Sequence, residues 1–142
     1  MIVPDTNLLL YAVDASNAQH ERARGWLDAT MRGAEPVGFA WAVLLGFVRI
    51  STNPRILDHP LAVDDALHVV DLWLSQPVAA LVEPGARHWA ILKGLLRDAG
   101  RGGNLTTDAH LAALCIERGA TLASADGDFT RFRGLRFLNP LR

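Results

Sequence analysis

The run TDAHLAALCIERGATLASAD, residues 107–126, decides the architecture. Leu111, Leu114 and Cys115 recur at helical spacing, and Thr106 or Thr107 stands where a cap belongs. Gly119 is a natural helix stop. Residues 121–123 then read as a short buried strand that runs directly into Ser124-Ala125-Asp126. A helix that stops at glycine and turns into a strand ending at an acidic residue is a unit of an α/β fold, in which strands separated by helices pair in parallel.

Working outward, the same alternation covers the chain. Ile2-Val3 reads as a strand ending at Pro4-Asp5, and Ser16 with Gln19 has capping-box spacing. Ala23, Trp26, Leu27, Thr30 and Met31 then share one helical face, with Gly33 at its end. Residues 37–40 suit a second strand. Residues 41–51 suit a mostly buried helix with Trp41, Leu44, Leu45 and Val48 on one stripe, stopped by Pro54. A helix over 63–75 with Leu67, Val70 and Leu74 inward, a strand over 78–82, and a helix marked by Trp89, Leu92, Leu95 and Leu96 follow. A short segment at 129–132 and a strand at 135–138 end the chain. The expected fold is a three-layer α/β/α domain with a mainly parallel central sheet, covering residues 1–142 as one unit.

Composition bounds the function. The chain has 142 residues, half of them hydrophobic, enough to fill a core. Fourteen basic against 15 acidic residues give a net charge of -1, which argues against holding nucleic acid by bulk positive charge. Cys115 is the single cysteine, so no intrachain disulfide forms and a reducing, cytoplasmic setting is expected. Residues 1–13 lack the basic start and cleavage site of a signal peptide, and the uncharged apolar run 36–48 is too short to span a bilayer. No membrane association is expected.

Ligands of open parallel sheets bind beyond the carboxyl ends of the strands. Asp5 follows the first strand and Asp126 the strand at 121–123, so the two carboxylates share a crevice if these strands are neighbours. Asp108 lies in the first turn of its helix, and Asp128 follows Asp126 closely. Each has an ordinary explanation: the helix macrodipole favours Asp108, and Asp126-Gly127-Asp128 is a natural turn. Asp5 is harder to dismiss, because a carboxylate after a buried strand must cap, pair or bind a cation. Together the four suit a hard cation, Mg²⁺ or Mn²⁺, and the hydrolysis of a phosphodiester.

These residues carry a resemblance. Asp5-Thr6-Asn7 is similar to the opening motif of the PIN-domain ribonucleases, residues 107–113 to their third acidic motif, and Ser124-Ala125-Asp126-Gly127-Asp128-Phe129 to the fourth. The stretches 49–55 and 135–140 also fit. The chain most resembles VapC-type toxins of bacterial toxin–antitoxin pairs. The resemblance implies a metal-dependent endoribonuclease using Mg²⁺ or Mn²⁺, usually a homodimer, acting on RNA and neutralised by a small VapB-type antitoxin. It makes Asp5, Asp108 and Asp126 catalytic metal ligands, with Asp128 supporting them. Thr6, Asn7 and Ser124 flank the carboxylates and suit hydrogen bonds to them or to metal-bound water.

One position departs from the family, which usually carries a Glu on the helix after the second strand. Here it is Gly46, in Leu44-Leu45-Gly46-Phe47-Val48-Arg49. Water fills the gap, another acid substitutes (Glu35 is nearest in sequence), or the domain is a degenerate module that binds RNA or an antitoxin without cutting. Arg49, Arg101, Arg131 and Arg133 are candidate phosphate contacts. His20 and His110 are candidate ligands or bases, though single histidines more often serve structure. A haloacid-dehalogenase-like phosphatase is disfavoured, because Asn7 stands where its second Asp is required.

Overall fold

Strands of three or four residues do not stand alone; they persist here because both faces are covered. The structure, a computed structural model, describes residues 1–142. Its strands are β1 (Ile2–Pro4), β2 (Val37–Ala40), β3 (Ala79–Val82), β4 (Thr121–Ala123) and β5 (Arg136–Leu138). All four pairings are parallel, in the order β3-β2-β1-β4-β5. Val3, Val37, Phe39 and Leu122 are fully buried on them, each side chain contributing about 1.5–3 kcal/mol.

Helices α1 (Thr6–Val13) and α2 (His20–Arg32) join β1 to β2, and α3 (Trp41–Ser51) and α4 (Val63–Leu74) join β2 to β3. Helices α5 (His88–Ala99) and α6 (Leu105–Arg118) join β3 to β4. The chain moves from β1 toward β3, then crosses back to β4. Right-handed crossovers in opposite directions place α1–α4 on one face and α5–α6 on the other. Accordingly α1 packs on α2 and α3, and α5 on α6. The order reverses between β1 and β4, and a crevice opens there at the carboxyl ends. Register brings Pro4 beside Ala123, so Asp5 and Ser124 emerge side by side.

Several expectations are corrected. A helix, α1, fills residues 6–13, capped by Asp5. Ser16 caps nothing; it bonds Asp14, and α2 begins at His20. The helix over 107–118 begins earlier, at Leu105 with Asn104 before it, so Thr106 and Thr107 lie inside its first turn. On α3 the buried residues are Val43, Leu44, Phe47 and Ser51, whereas Trp41 and Leu45 are exposed. On α4 only Ala66 is fully inside, and Leu67 faces out. Trp73 rather than the other tryptophans anchors this layer, stacked on Phe39 at 6.1 Å and edge-on to Phe47 at 4.8 Å. No helix is long and apolar enough to cross a membrane.

Candidate active site

Asp5 extends the β1 ladder by one bond, its N–H donating to Ala123 O at 2.8 Å. The chain then turns into α1, and the side chain becomes the helix cap: Oδ1 accepts the Thr6 N–H at 2.7 Å. Oδ2 accepts the Ser124 hydroxyl, also at 2.7 Å. Ser124 is fully buried, and its oxygen accepts from Asn7 Nδ2 at 3.1 Å and from the Asp126 N–H at 3.0 Å. One hydroxyl thus uses its donor and both lone pairs. Asn7 Oδ1 closes the ring by accepting the Ala125 N–H at 3.4 Å. Capping is therefore part of what Asp5 does, but the cap leaves its charge close to other carboxylates.

Burial is the main cause that pushes the Asp5 carboxyl above its ordinary value; Ser124 and Thr6 pull it back, and Asp126 raises it. Burial also raises Asp108, helped by Asp5, Asp126 and Asp128 against Arg131. Asp126 begins a short 3₁₀ turn (Gly127–Arg131) and spends Oδ1 on the Asp128 N–H at 2.9 Å. Asp5, Asp108 and Asp126 therefore form one electrostatic set. Asp128 is exposed and takes part through Asp108 and through Arg131, 3.7 Å from its Oδ1.

Two clefts meet at Asp108. The first, about 300 Å³, is lined by Asp5, Thr6, Asn7, Gly46, Arg49 and Thr107 among others. The second, also about 300 Å³, is lined by Arg101, Asn104, Asp128 and Arg131. Arg49, Arg101 and Arg131 thus stand around the acidic centre, while Arg133 lies in a separate cleft with Asp98. Gly46 faces the first cleft, and a Cβ there would sit 3.1 Å from Thr6 Oγ1. The space of a side chain at position 46 is shared with the Thr6 hydroxyl, which donates a long bond to Val43 O at 3.4 Å. Glu35 does not substitute: it pairs with the N-terminal amine at 3.2 Å.

The donor set fits a hydrated hard cation. No three of the His, Cys, Asp and Glu side chains converge to hold an ion by themselves. Mg²⁺ commonly uses one or two carboxylates and completes its shell with water and substrate phosphate. Asp5 and Asp108 in one cleft would supply that pair; burial is the main cause of both raised carboxyls, Asp126 adds repulsion at each and Asp5 at Asp108, and a cation would relieve that charge.

The histidines belong elsewhere. His20 Nδ1 lies 2.8 Å from Tyr11 O, joining α2 to α1. His110 Nδ1 lies 2.9 Å from His88 Nε2, a contact between α6 and α5 that sequence spacing does not reveal. Cys115 is buried with its thiol pushed up to about 12, so it offers no nucleophile.

A PIN domain family model matches residues 2–135. Ribonuclease VapC37 of Mycobacterium tuberculosis is 45% identical over 140 residues, covering 99% of this chain and 97% of that protein. Ribonuclease VapC33 of the same species is 46% identical over 142 residues, covering 100% and 99%. Among solved structures, VapBC2 from Rickettsia felis, bound to a DNA fragment from its promoter, superposes with a TM-score of 0.71 at 19% identity, covering 98% of each chain. A domain model matched from β1 to the residue before β5, and relatives this similar end to end, place the chain in the PIN domain family.

Proposed function

We propose that this chain is the toxin of a VapBC-type toxin–antitoxin pair, an endoribonuclease that hydrolyses RNA phosphodiester bonds with Mg²⁺ or Mn²⁺. The observation that carries the reading is the pairing of Asp5 and Asp108 in one cleft at the reversal point of the sheet, with Asp126 near enough to raise both carboxyls and Arg49, Arg101 and Arg131 lining the two clefts that share Asp108. The relatives named ribonuclease at 45% and 46% identity support the activity. They also disfavour the reading of Gly46 as the mark of a module that binds without cutting.

Asp5 and Asp108 would hold the cation directly, with Asp126 completing the site through water. When bound, the cation activates a water and stabilises charge on the leaving oxygen. The protein's own contribution is positional. Ser124 and the Thr6 N–H fix both oxygens of Asp5, so the carboxylate is oriented before substrate arrives. Arg49 on one side, and Arg101 and Arg131 on the other, suit bidentate contacts to flanking phosphates. Asp128 holds Arg131, whose Nε donates to Asp128 O at 3.1 Å. Thr6 and Asn7 line the cleft where the scissile phosphate would lie.

The proposed assembly is one PIN-like domain over residues 1–142, cytoplasmic, homodimeric, and bound by a small VapB-type antitoxin. Trp41, Leu45 and Trp89, 47–66% exposed, are apolar surface that such contacts would cover.

The test is digestion of a structured RNA by the purified chain with Mg²⁺, with Mn²⁺ and with chelator. Cleavage should require metal. Asp5→Ala and Asp108→Ala should each slow it by more than the roughly 100-fold that loss of a supporting residue costs, with circular dichroism unchanged. Cleavage by Asp5→Ala at the parent rate would reject the mechanism. A parent that cuts nothing, but gains activity as Gly46→Glu, would restore the binding-module reading.

A further inference from the structure

The two clefts that meet at Asp108 continue into a third. The cleft that holds Arg101 and Asp128 shares Arg131 with another of about 400 Å³. There α5 supplies Leu95, Asp98 and Ala99, and the segment around the end of the 3₁₀ turn supplies Arg131, Phe132 and Arg133. Asp108 joins the first cleft to the second, and Arg131 joins the second to the third. One line of clefts therefore runs from Arg49, past the carboxylates, to Arg133.

Local structure sets the far end of that line. Phe132 is extended and buried, with its ring in the core. Its neighbours Arg131 and Arg133 both line the third cleft, their Cα atoms no more than about 7 Å apart. The arginines of the chain divide by what they hold. Arg87, Arg118 and Arg136 donate to backbone carbonyls and belong to the fold. Arg101 and Arg133 pair with no carboxylate, although Asp128 and Asp98 stand in the same clefts. The line is also lopsided. Arg49 is the one arginine of the first cleft, whereas Arg101, Arg131 and Arg133 follow on the other side of Asp108.

We propose that the third cleft is a phosphate subsite for the RNA strand beyond the scissile bond, held by Arg133, so that the substrate is gripped farther on one side of the cut than on the other. The inference rests on the ribonuclease reading and adds to it the reach and the asymmetry of binding. A strand carries one phosphate per nucleotide, and a guanidinium fork takes such a group bidentately. RNA with its scissile phosphate at Asp5 and Asp108 meets Arg101 and Arg131 first and Arg133 next. Because the strand is already held at the carboxylates, its later phosphates reach Arg133 at high effective concentration. Asp98 faces the same cleft and opposes the same charge.

The test has two arms. In the first, an RNA with one cut site is shortened from either end and digested with Mn²⁺. Shortening on one side should lower kcat/KM about fivefold, through KM, and on the other side should cost less. Arg133→Ala should reduce cleavage of the long RNA to that of the shortened one and leave the shortened one unchanged. Asp98→Asn should act in the opposite direction on the long RNA. In the second arm, labelled single-stranded RNA is bound in chelator, where it is not cut, over a range of salt. Arg133→Ala should make the slope of log affinity against log salt shallower by about 0.7. Arg32→Ala, at the exposed end of α2 where the chain enters β2 from the opposite side of the sheet, should leave it unchanged. Equal loss on shortening from both ends, or Arg133→Ala matching Arg32→Ala in both arms, overturns the subsite while the ribonuclease stands. So does loss of antitoxin binding by Arg133→Ala with RNA cleavage and binding intact, which would assign the cleft to an acidic protein segment. A chain that cuts no RNA fails the ribonuclease reading, and the salt slope then decides the subsite alone.

Discussion

Ser124 Oγ donates to Asp5 Oδ2 at 2.7 Å, joining two residues 119 positions apart across the reversal of the sheet. The bond exists because β1 and β4 are neighbours in register, so the residue after each strand reaches the same point. It settles the direction of the carboxylate, and the Asn7 amide and Asp126 N–H settle the direction of the hydroxyl.

Ser124→Ala should therefore cost stability and activity together. It strands an amide, a backbone N–H and a carboxylate oxygen in a closed space, a loss of about 1–3 kcal/mol for each group left unsatisfied. Some of this is recovered by water at the partly open cleft. Chemical denaturation should show a lower midpoint with an unchanged slope, and RNA cleavage should fall. Ser124→Thr keeps the hydroxyl and should restore more cleavage than stability, because its extra methyl enters a fully buried site. Cleavage unaffected in Ser124→Ala would show that Asp5 does not need this anchor.

Asp108→Asn should raise the melting temperature of the metal-free protein at neutral pH. Burial and three neighbouring carboxylates hold the Asp108 carboxyl above its ordinary value, with only Arg131 opposing. The folded state then grips the proton more tightly than the unfolded chain does. Stability is lost as pH rises through that interval, and the loss persists above it. An amide removes this cost. Added Mg²⁺ or Mn²⁺ should raise the melting temperature of the wild type more than that of Asp108→Asn, since the variant would keep fewer of the proposed ligands. Equal metal shifts in both proteins would remove Asp108 from the binding site.

How far the sequence discloses this site depends on what each residue does locally. Asp5, Asp108 and Asp126 are legible because each stands at the end of a strand or the start of a helix, and those ends converge in a parallel sheet. The pairing of His88 with His110 is not, because it joins elements through space alone. Helix α1 is hidden by its own composition: TNLLLYAV has no polar side to give a period, and its one signal is the Asp5 cap. The stripe on α3 is mistaken for the same reason. WAVLLGFV is apolar all round, so only tertiary contact selects Val43, Leu44 and Phe47 for the core and leaves Trp41 and Leu45 outside.

Gly46 and Thr6 should behave as a coupled pair. Alanine in place of a mid-helix glycine gains about 1 kcal/mol. Here the new Cβ meets Thr6 Oγ1 at 3.1 Å and Cγ2 at 3.4 Å, tighter than relaxed packing. Gly46→Ala alone should thus gain less than that amount. In a Thr6→Ala background the obstacle is gone, and the same change should gain it in full. A double-mutant cycle by urea denaturation measures the difference as a coupling energy of about 0.5 kcal/mol or more. Additive effects would mean that Thr6 moves aside freely, and that the cleft accepts a larger residue at position 46 without cost.

Glu117 tests the opposite wall of the fold, away from the acidic site. Its two oxygens accept the Gly85 N–H at 2.7 Å and the Arg87 N–H at 2.9 Å, clamping the turn between β3 and α5. The Gly85 bond is the main cause that holds this carboxyl below its ordinary value of 4.5, and the Arg87 bond and Arg118 add to it. A lowered carboxyl contributes stability above its unfolded value and loses it as pH falls through the folded one. Glu117→Ala should therefore melt below the wild type at neutral pH, and the two curves should converge in acid. A Cβ at Gly85 would meet only the Glu117 carboxylate, the movable end of a flexible side chain, which would have to loosen its hold on the turn to make way. Gly85→Ala should consequently weaken the same turn, and combining it with Glu117→Ala should cost less than the sum of the two. A melting difference that stays constant from neutral to acid pH would show that Glu117 acts through packing rather than through its charge.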